Sequence, residues 1–474
     1  MNHVHFMGIG GVSMQGLARW WHADGLTVSG CDLHDGPTLR SLREMGIAVH
    51  LGHDPRHLDG VDTLVTTMAV PTDHPEVMRA HELGVRVVPR IELLAELFTR
   101  RAGIGVTGSH GKSTTTGMAA TLFMAAGLDP SVLLGASLPS LVHNMRYGAG
   151  RHAVAEVDES DPGFAVLRSE VAVVTNLSDD HVAGDFAERR NYHATLDDLH
   201  AATVRFASRA DHVVYNGDWP GLEALLGAHP SHVSFGHGDA SDYRIAGVAH
   251  GERETRFDLH LPSGRTIPVR LVVPLRHNVH NAAAALAAAD IAGLDLALVA
   301  PALATFDGVG RRWQRWGTVD GAEVVDDYAV HPTEVHAILS AAKETGRRVR
   351  AVLQPHRWVR TAQHWPALVD AAALADEVLV LDVYAAGEAA IPGISPELIV
   401  DRLNGRGCDA SRHTLATATT YLQGSLREGD LIMTLGAGDV WRVAEALMQG
   451  AALPPVVPAA RPVGSSETSD AGRR

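Results

Sequence analysis

Short apolar runs alternate with stretches of helical spacing along nearly the whole chain, the pattern of stacked β-α units around parallel sheets. His3–Met7 reads as a strand, Gly8–Gly11 as a glycine turn, Val12–Asp24 as a helix and Leu26–Ser29 as the next strand. The alternation continues through Val49, Leu64–Thr67 and Val85–Pro89 to about residue 100. A second unit opens at Gly103 with a strand, a loop and a helix over Ser113–Ala126, followed by the apolar strands Ala153–Val157 and Val171–Thr175. The stretch 230–275 is less regular and reads as β-rich, with turns around Pro262–Gly264. An Ala-rich helix follows over Asn281–Ile291, and Pro301–Gly310 reads as a linker. A third α/β unit starts near Arg311, with candidate strands Glu323–Asp326, Arg350–Leu353, Glu377–Leu381 and Leu431–Leu435. The expected fold is therefore α/β with three domains, 1–100, 101–310 and 311–452. Residues 453–474 are rich in Pro, Ala, Gly and Ser, lack the apolar residues to build a core, and are expected to be a disordered tail. There is no internal repeat.

Composition narrows the function. The 474 residues are 46% apolar and 20% charged, enough to bury proper cores. The formal charge of -15 argues against a nucleic-acid partner, which calls for a basic face, but leaves room for a small anion in a local pocket. Two cysteines, Cys31 and Cys408, make no disulfide framework and fit a reducing cytoplasm. The N-terminal MNHVHFMGIGG has neither a basic n-region nor a long apolar h-region. The longest apolar stretch, 281–306, is interrupted by Asp290 and Asp295, so no membrane insertion is expected. The 28 histidines are scattered and read mostly as surface residues rather than metal ligands. Only two of the 40 basic residues are lysines, Lys112 and Lys343. In a chain so biased to arginine, each lysine invites a reason.

Three loops carry chemistry. Gly8, Gly10 and Gly11 lie between a strand and a helix, where glycines let backbone amides approach a pyrophosphate at the helix N-terminus. Asp32 follows the next strand, where a carboxylate can bond a ribose hydroxyl. Ser13 stands at the third glycine position and Gly16 comes three residues later, so the loop departs from G-x-G-x-x-G. A dinucleotide and a nucleotide-sugar both fit it. The second loop, Thr107-Gly108-Ser109-His110-Gly111-Lys112-Ser113-Thr114, joins a strand to a helix. Its glycines let N–H groups curl around phosphates, Lys112 supplies charge, and the Ser113 hydroxyl suits Mg²⁺. It is a shortened G-x-x-G-K-S form, because Val106 occupies the first glycine position of the longer motif. The third element is the pair of segments Glu156–Asp161 and Asn176–His181, each after an apolar strand. In a parallel sheet such loops gather at one edge. A hard cation beside a triphosphate wants oxygen ligands with at most an imidazole, so Glu156 and His181 join Ser113 as candidate ligands.

With these residues in view, the sequence resembles the Mur ligases of bacterial cell-wall synthesis. The likeness runs from residue 4 to about 445, through GIGGVSMQGLA, GVTGSHGKSTTT, AEVDESD, VTNLSDDH, HNVHNAAAA, GVGRRWQ, DDYAVHPTE, QPHRWVRT, DVYAAGE and GAGDV in that order. The resemblance implies a Rossmann-like domain binding UDP-N-acetylmuramate through Gly8, Gly10, Gly11, Ser13 and Asp32. It implies a central P-loop-type ATPase domain on a parallel sheet, and a Rossmann-like third domain that swings to close the site. Gly108, Ser109, His110, Gly111, Lys112, Ser113 and Thr114 would bind ATP, with Asn278 and Asn281 near adenine and ribose. Arg312, Asp326 and Asp327 would close on ATP, and Tyr328, His356 and Arg357 would hold the amino acid. Ser113, Glu156 and His181 would carry Mg²⁺, or Mn²⁺ in its place. Lys112, Glu156, His181, Arg312 and Asp327 would be the catalytic group. The implied reaction is ATP-dependent amide formation through an acyl phosphate, with UDP-N-acetylmuramate and L-alanine as partners. Monomer and homodimer both stay open.

Two departures and one absence qualify the likeness. The family pattern D-D-Y-G-H-H-P is Asp326-Asp327-Tyr328-Ala329-Val330-His331-Pro332 here, so Val330 replaces the first histidine. Ser113 and Ser109 stand where threonine is usual or common, and Ser113 keeps the hydroxyl. Many later Mur ligases use a carbamylated lysine in the central domain. Lys343 falls in the third domain, which favours the alanine-adding branch or the recycling ligase that adds L-Ala-D-Glu-diaminopimelate. Ser160 and Gly10-Gly11, where the recycling ligase tends to differ, favour alanine. A nucleotide-sugar oxidoreductase would leave the phosphate loop unexplained. A non-catalytic nucleotide-binding member would rest on Val330 alone.

Overall fold

The computed structural model describes residues 2–67, 70–138, 141, 144–179, 182, 193–251, 254–273 and 275–450. The tail expected over 453–474 and the candidate ligand His181 lie outside the described residues. Three sheets follow one another along the chain. The first has five parallel strands: β1 (His3–Met7), β2 (Thr27–Asp32), β3 (Ala48–Leu51), β4 (Thr63–Thr66) and β5 (Arg86–Pro89), in the order β3-β2-β1-β4-β5.

The second sheet has ten strands. They are β6 (Ala102–Thr107), β7 (Ser131–Leu133), β8 (Met145–Arg146), β9 (His152–Glu156), β10 (Val171–Val174), β11 (His212–Asn216), β12 (His232–Gly236), β13 (Tyr243–His250), β14 (Thr255–His260) and β15 (Thr266–Leu271). Their order is β15-β14-β13-β12-β11-β10-β6-β9-β7-β8, with the β-rich stretch of the sequence forming an antiparallel end, β13-β14-β15. The central strands β11, β10, β6 and β9 are parallel. Strand β10, Val-Ala-Val-Val, is buried at every position, as a parallel strand covered on both faces must be. The helices Lys112–Ala125 and His277–Ile291 share the core on one face. The Ala282–Ala289 run combines the best helix former with side chains small enough for close packing.

The segment expected to be a linker, Pro301–Gly310, belongs to this core. It contains a 3-10 helix, Ala300–Thr305, and buries Leu303, Phe306 and Val309. A methyl added at Gly117 of the helix Lys112–Ala125 would lie 3.0 Å from the Phe306 ring and 3.1 Å from Val309. The apolar residues, not the Pro and Gly that frame them, decide the outcome. The Ala-rich helix also starts earlier than expected, at His277, because Asn278 and Asn281 are themselves helical and buried.

The compact units divide between Gln314 and Arg315. The third sheet has the order β16-β17-β21-β18-β19-β20. Its strands are β16 (Gln314–Val319), β17 (Ala322–Asp327), β18 (Arg348–Leu353), β19 (Glu377–Val380), β20 (Asp409–Arg412) and β21 (Asp430–Leu435), with β17 to β20 joined in parallel through β21. Under it Arg350, 1% exposed, places Nε 2.6 Å from Glu377 Oε2, while Tyr421 donates to Glu377 Oε1 at 2.7 Å. Burial lifts the Glu377 pKa, but the bonds from Arg350 and Tyr421 outweigh it and hold the carboxyl below its ordinary range. A lowered folded pKa gives stability that is present above the unfolded value, about 4.3, and lost as pH falls through the folded value. Denaturant unfolding of the second unit should therefore show stability falling on the acid side of about pH 4.3, and Glu377→Gln should flatten that fall. An unchanged acid limb in the variant would show that Glu377 does not contribute.

No helix among the described residues is long and apolar enough to cross a membrane.

Candidate active site

The phosphate loop leaves β6 and enters the helix Lys112–Ala125 through Gly111, which sits at φ +82. The loop after β10 grips it from the side. Asn176 accepts from His110 N at 2.7 Å through Oδ1 and donates to His110 O at 2.9 Å through Nδ2. The Thr175 hydroxyl also donates to His110 O at 2.7 Å, and Ser178 N donates to Ser109 Oγ at 2.8 Å. These bonds hold the loop open before any ligand arrives, with the positive end of the helix aimed at its mouth.

Gly108 has no alternative at its position. Its φ is +129, and a methyl there would lie 2.2 Å from Thr175 Oγ1 and 2.7 Å from Asn176 O. Gly108→Ala is expected to cost about 1–3 kcal/mol from backbone strain alone and to abolish nucleotide turnover. Thermal melting and phosphate release check it, and a wild-type melting temperature would rule this loop geometry out.

Lys112 folds back over the loop. Its Nζ donates to Gly108 O at 2.7 Å and lies 2.9 Å from Glu159 Oε2. Glu159 is fully buried and the Lys112 side chain is 12% exposed. Burial pulls the lysine pKa down, but Glu159, Asp158 and Glu156 outweigh it, and the net shift is upward. The lysine is thus held charged. Glu159 was not singled out from the sequence.

Beside it, Ser113 Oγ donates to Glu156 Oε2 at 2.8 Å, and Gly135 N donates to the same oxygen at 2.8 Å. A hydroxyl and a carboxylate side by side at the mouth of a phosphate loop are the oxygen donors a hard cation requires. This part of the expected ligand set comes together. On the far side, Asn281 Oδ1 accepts from Thr115 Oγ1 at 3.3 Å, and Asn281 Nδ2 donates to Asn278 Oδ1 at 3.0 Å. Both asparagines and Thr114 are buried at the same end of the loop helix.

The first glycine loop is closed by its own backbone. Gly8 N and Ile9 N both donate to Cys31 O, at 2.8 and 3.1 Å. Gly8, Gly10, Gly11, Asp32, Leu39 and Thr67 line a groove of about 510 Å³. The Asp32 carboxylate is committed to the loop itself, accepting from Gly10 N at 2.9 Å and His34 N at 3.3 Å. These bonds shape the loop and keep the carboxylate at the groove. Ser13 is half-buried in the first turn of the helix Val12–Ala23. The displaced Gly16 has a packing cause: a methyl there would lie 2.5 Å from Leu133 on β7.

Arg312 lies at the end of this first unit, in a turn where Arg311 and Trp313 both take positive φ, +60 and +49. Two non-glycine residues in the left-handed region mark a strained segment.

Within the second unit, several of the sequence markers meet at the C-terminal edge of the sheet. Asp326 and Asp327 end β17 and are buried. Thr434 Oγ1 donates to Asp326 Oδ1 at 2.6 Å, and Ala329 N to Asp327 Oδ1 at 2.9 Å. His356 stacks on Tyr384 with ring centroids 5.5 Å apart, Arg357 takes φ +65, and Tyr328 is 39% exposed. Gln354 and Asp439, not picked out from sequence, bond each other at 2.7 Å beside them. His331 is committed as the cap of the helix Pro332–Glu344, its Nδ1 accepting from Thr333 N at 3.4 Å and its ring edge-on to His364.

Comparison with known proteins gives matches over nearly the whole chain. Residues 3–102 match the description "Mur ligase family, catalytic domain", residues 106–289 "Mur ligase middle domain", and residues 311–438 "Mur ligase, glutamate ligase domain". The chain is 44% identical over 458 residues to the UDP-N-acetylmuramate–L-alanine ligase of Deinococcus radiodurans, covering 95% of this chain and 94% of that one. It is 38% identical to the ligase of the same name from Sorangium cellulosum, covering 93% and 94%. The crystal structure of UDP-N-acetylmuramate–alanine ligase from Thermotoga maritima superposes with a TM-score of 0.81 at 28% identity, over 95% of this chain and 99% of that chain.

Proposed function

The chain belongs to the Mur ligase family, and from that membership we propose that it joins L-alanine to the lactyl carboxylate of UDP-N-acetylmuramate at the expense of ATP, a step of peptidoglycan synthesis. The observation that carries the reading is the phosphate loop, with Lys112 held charged by Glu159 and Ser113 paired with Glu156 at the edge of a parallel sheet. No dinucleotide oxidoreductase needs that arrangement.

The reaction takes two steps. The lactyl carboxylate forms a bond to the γ-phosphorus of ATP as the bond to the bridging oxygen breaks, giving an acyl phosphate and ADP. The alanine amine then bonds to the acyl carbon, phosphate departs with the C–O electron pair, and the amine gives up a proton. Phosphoryl transfer asks mainly for positioning and charge neutralisation. In this reading Gly108, Ser109, His110, Gly111 and Thr114 cradle the phosphates with their amides. Lys112 turns from Glu159 to the transferred phosphoryl group. Ser113 and Glu156, with His181, would hold Mg²⁺, which supplies a Lewis acid at the phosphate oxygens. Asn278 and Asn281 face the adenine and ribose, and Arg312, Asp326 and Asp327 act on ATP. Gly8, Gly10, Gly11, Ser13 and Asp32 bind the UDP-sugar. Tyr328, His356 and Arg357 hold the amino acid. A cytoplasmic location fits these substrates.

Phosphate release by the purified protein with MgATP and UDP-N-acetylmuramate tests the proposal. It is run with L-alanine, with the L-Ala-D-Glu-diaminopimelate tripeptide, and with neither. Release dependent on L-alanine is expected. Release with tripeptide alone would replace alanine by the recycling reaction, and none with either would point to a non-catalytic protein and to Val330.

A further inference from the structure

The histidines look scattered in sequence, but the fold gathers several of them on one face of the first sheet. Neighbouring strands place them: His5 pairs with Ser29 in register, Met7 with Cys31, and Cys31 with His50. The 3-10 helix Pro55–Leu58 brings His57, and the helix Pro75–Leu83 brings Glu76. One donor atom each of His5, Cys31, His57 and Glu76 lies within 4.8 Å of the others. His5, Cys31 and Glu76 are fully buried. We propose that these four residues form a binding site for a borderline-soft divalent cation of the zinc class, separate from the phosphate loop.

The donor set decides the class of ion. A thiolate, two imidazoles and a carboxylate match the mixed S/N/O preference of Zn²⁺, whereas Mg²⁺ takes oxygen. Four ligands at zinc distances sit about 3.5 Å apart in a tetrahedron, so donor atoms no more than 4.8 Å apart need to approach by about 1.3 Å at most.

His5 is the observation that separates this from an ordinary buried polar network. Its Nε2 is buried with no hydrogen-bond partner, while its Nδ1 is 2.8 Å from Ser29 Oγ. The chain of bonds fixes which nitrogen is the base. Gly60 O can only accept, so His3 Nδ1, 3.1 Å away, carries a proton. With neutral rings, Ser29 donates to His3 Nε2 at 2.8 Å and accepts from His5 Nδ1. A lone pair remains on His5 Nε2, oriented by a hydroxyl as ligating histidines are oriented by an outer partner. Leaving that nitrogen desolvated and unbonded is unfavourable, and coordination removes the penalty. An entering cation displaces the Cys31 thiol proton to solvent.

The site has a structural consequence. Cys31 O receives both Gly8 N and Ile9 N, so an ion on Cys31 braces the first glycine loop from beneath. His53 Nδ1, 3.2 Å from Cys31 Sγ and 3.0 Å from Glu76 Oε2, is placed to replace a lost histidine ligand. A single histidine variant is therefore a weak test, and Cys31 is the decisive residue.

The test is titration of the chelator-stripped full chain with Co²⁺, then Zn²⁺. One equivalent of Co²⁺ should give intense tetrahedral visible bands and a near-ultraviolet thiolate-to-cobalt band, and Zn²⁺ should abolish both. Cys31→Ser should lose the thiolate band while Cys408→Ser keeps it, and Ser29→Ala should weaken binding by about 10–100-fold. Circular dichroism verifies that each variant is folded. A folded wild-type protein without a thiolate band overturns the proposal, and so does a band that survives in Cys31→Ser.

Discussion

Lys112→Met should lower phosphate release by about 10³-fold or more and, in the same variant, destabilise the first unit. Two separate effects meet in one side chain. The transferred phosphoryl group spreads negative charge over three oxygens, and Lys112 is the ammonium built into the loop that surrounds it. In the resting structure the same ammonium lies 2.9 Å from Glu159, whose carboxylate is fully buried. Taking away one partner of such a pair strands the other charge, at a cost of about 3–5 kcal/mol. A melting-temperature drop would by itself make lost activity hard to interpret. The double variant Lys112→Met with Glu159→Gln resolves this, because a neutral amide no longer needs the lysine. It should regain most of the lost stability and none of the turnover. Paired thermal melts and phosphate-release assays read both effects. Turnover within tenfold of wild type in Lys112→Met would remove the phosphate role, and a wild-type melting temperature would remove the structural one.

The contrast between Lys112 and Glu159 shows what is legible in the sequence. Lys112 and Ser113 sit in a motif whose spacing is dictated by phosphate geometry, so their role can be read from the string. The segment Glu156-Val-Asp158-Glu159 offers three carboxylates, of which the sequence assigns a role only to Glu156. The fold sends each to a different partner: Glu156 to Ser113, Asp158 to Arg90 at 2.8 Å, and Glu159 to Lys112. Only the turn after β9 distinguishes them. Asn176 and Gln354 lie in the quoted stretches VTNLSDDH and QPHRWVRT but carry no role in the sequence reading, since both act on backbone or on other side chains.

The same physics sorts the elements. Strands such as Val171–Val174 were visible because burial on both faces demands a continuous apolar run. The stretch Pro301–Gly310 misled because Pro and Gly normally punctuate loops, yet Phe306 and Val309 have a glycine on a neighbouring helix to pack against. The histidines of the first domain show where spacing along the chain stops being a signal. His5, His50 and His57 have no periodic spacing along the chain, and it takes the pairing of β1, β2 and β3 together with the 3-10 helix Pro55–Leu58 to stack them on one another.

Glu156→Gln should reduce turnover by about 10²–10³-fold at ordinary Mg²⁺ and raise the Mg²⁺ concentration needed for half-maximal rate, with the fold intact. Glu156 Oε2 accepts from both Ser113 Oγ and Gly135 N, each at 2.8 Å. Glutamine keeps an oxygen for these two donors, so the geometry around Gly135 survives. It removes the negative charge, which is what a divalent cation binds most strongly in an oxygen site. Alanine would be a poorer choice, because it would also leave Gly135 N without its acceptor. Ser113→Ala should move the Mg²⁺ requirement in the same direction, while Asn176→Ala, which loosens the loop without touching the donors, should lower the rate with little change in Mg²⁺ dependence. A Mg²⁺ titration of phosphate release across the three variants separates the two behaviours. If Glu156→Gln and the wild type saturate at the same Mg²⁺ concentration, the Ser113–Glu156 pair is a hydrogen bond that shapes the loop and not half of a cation site.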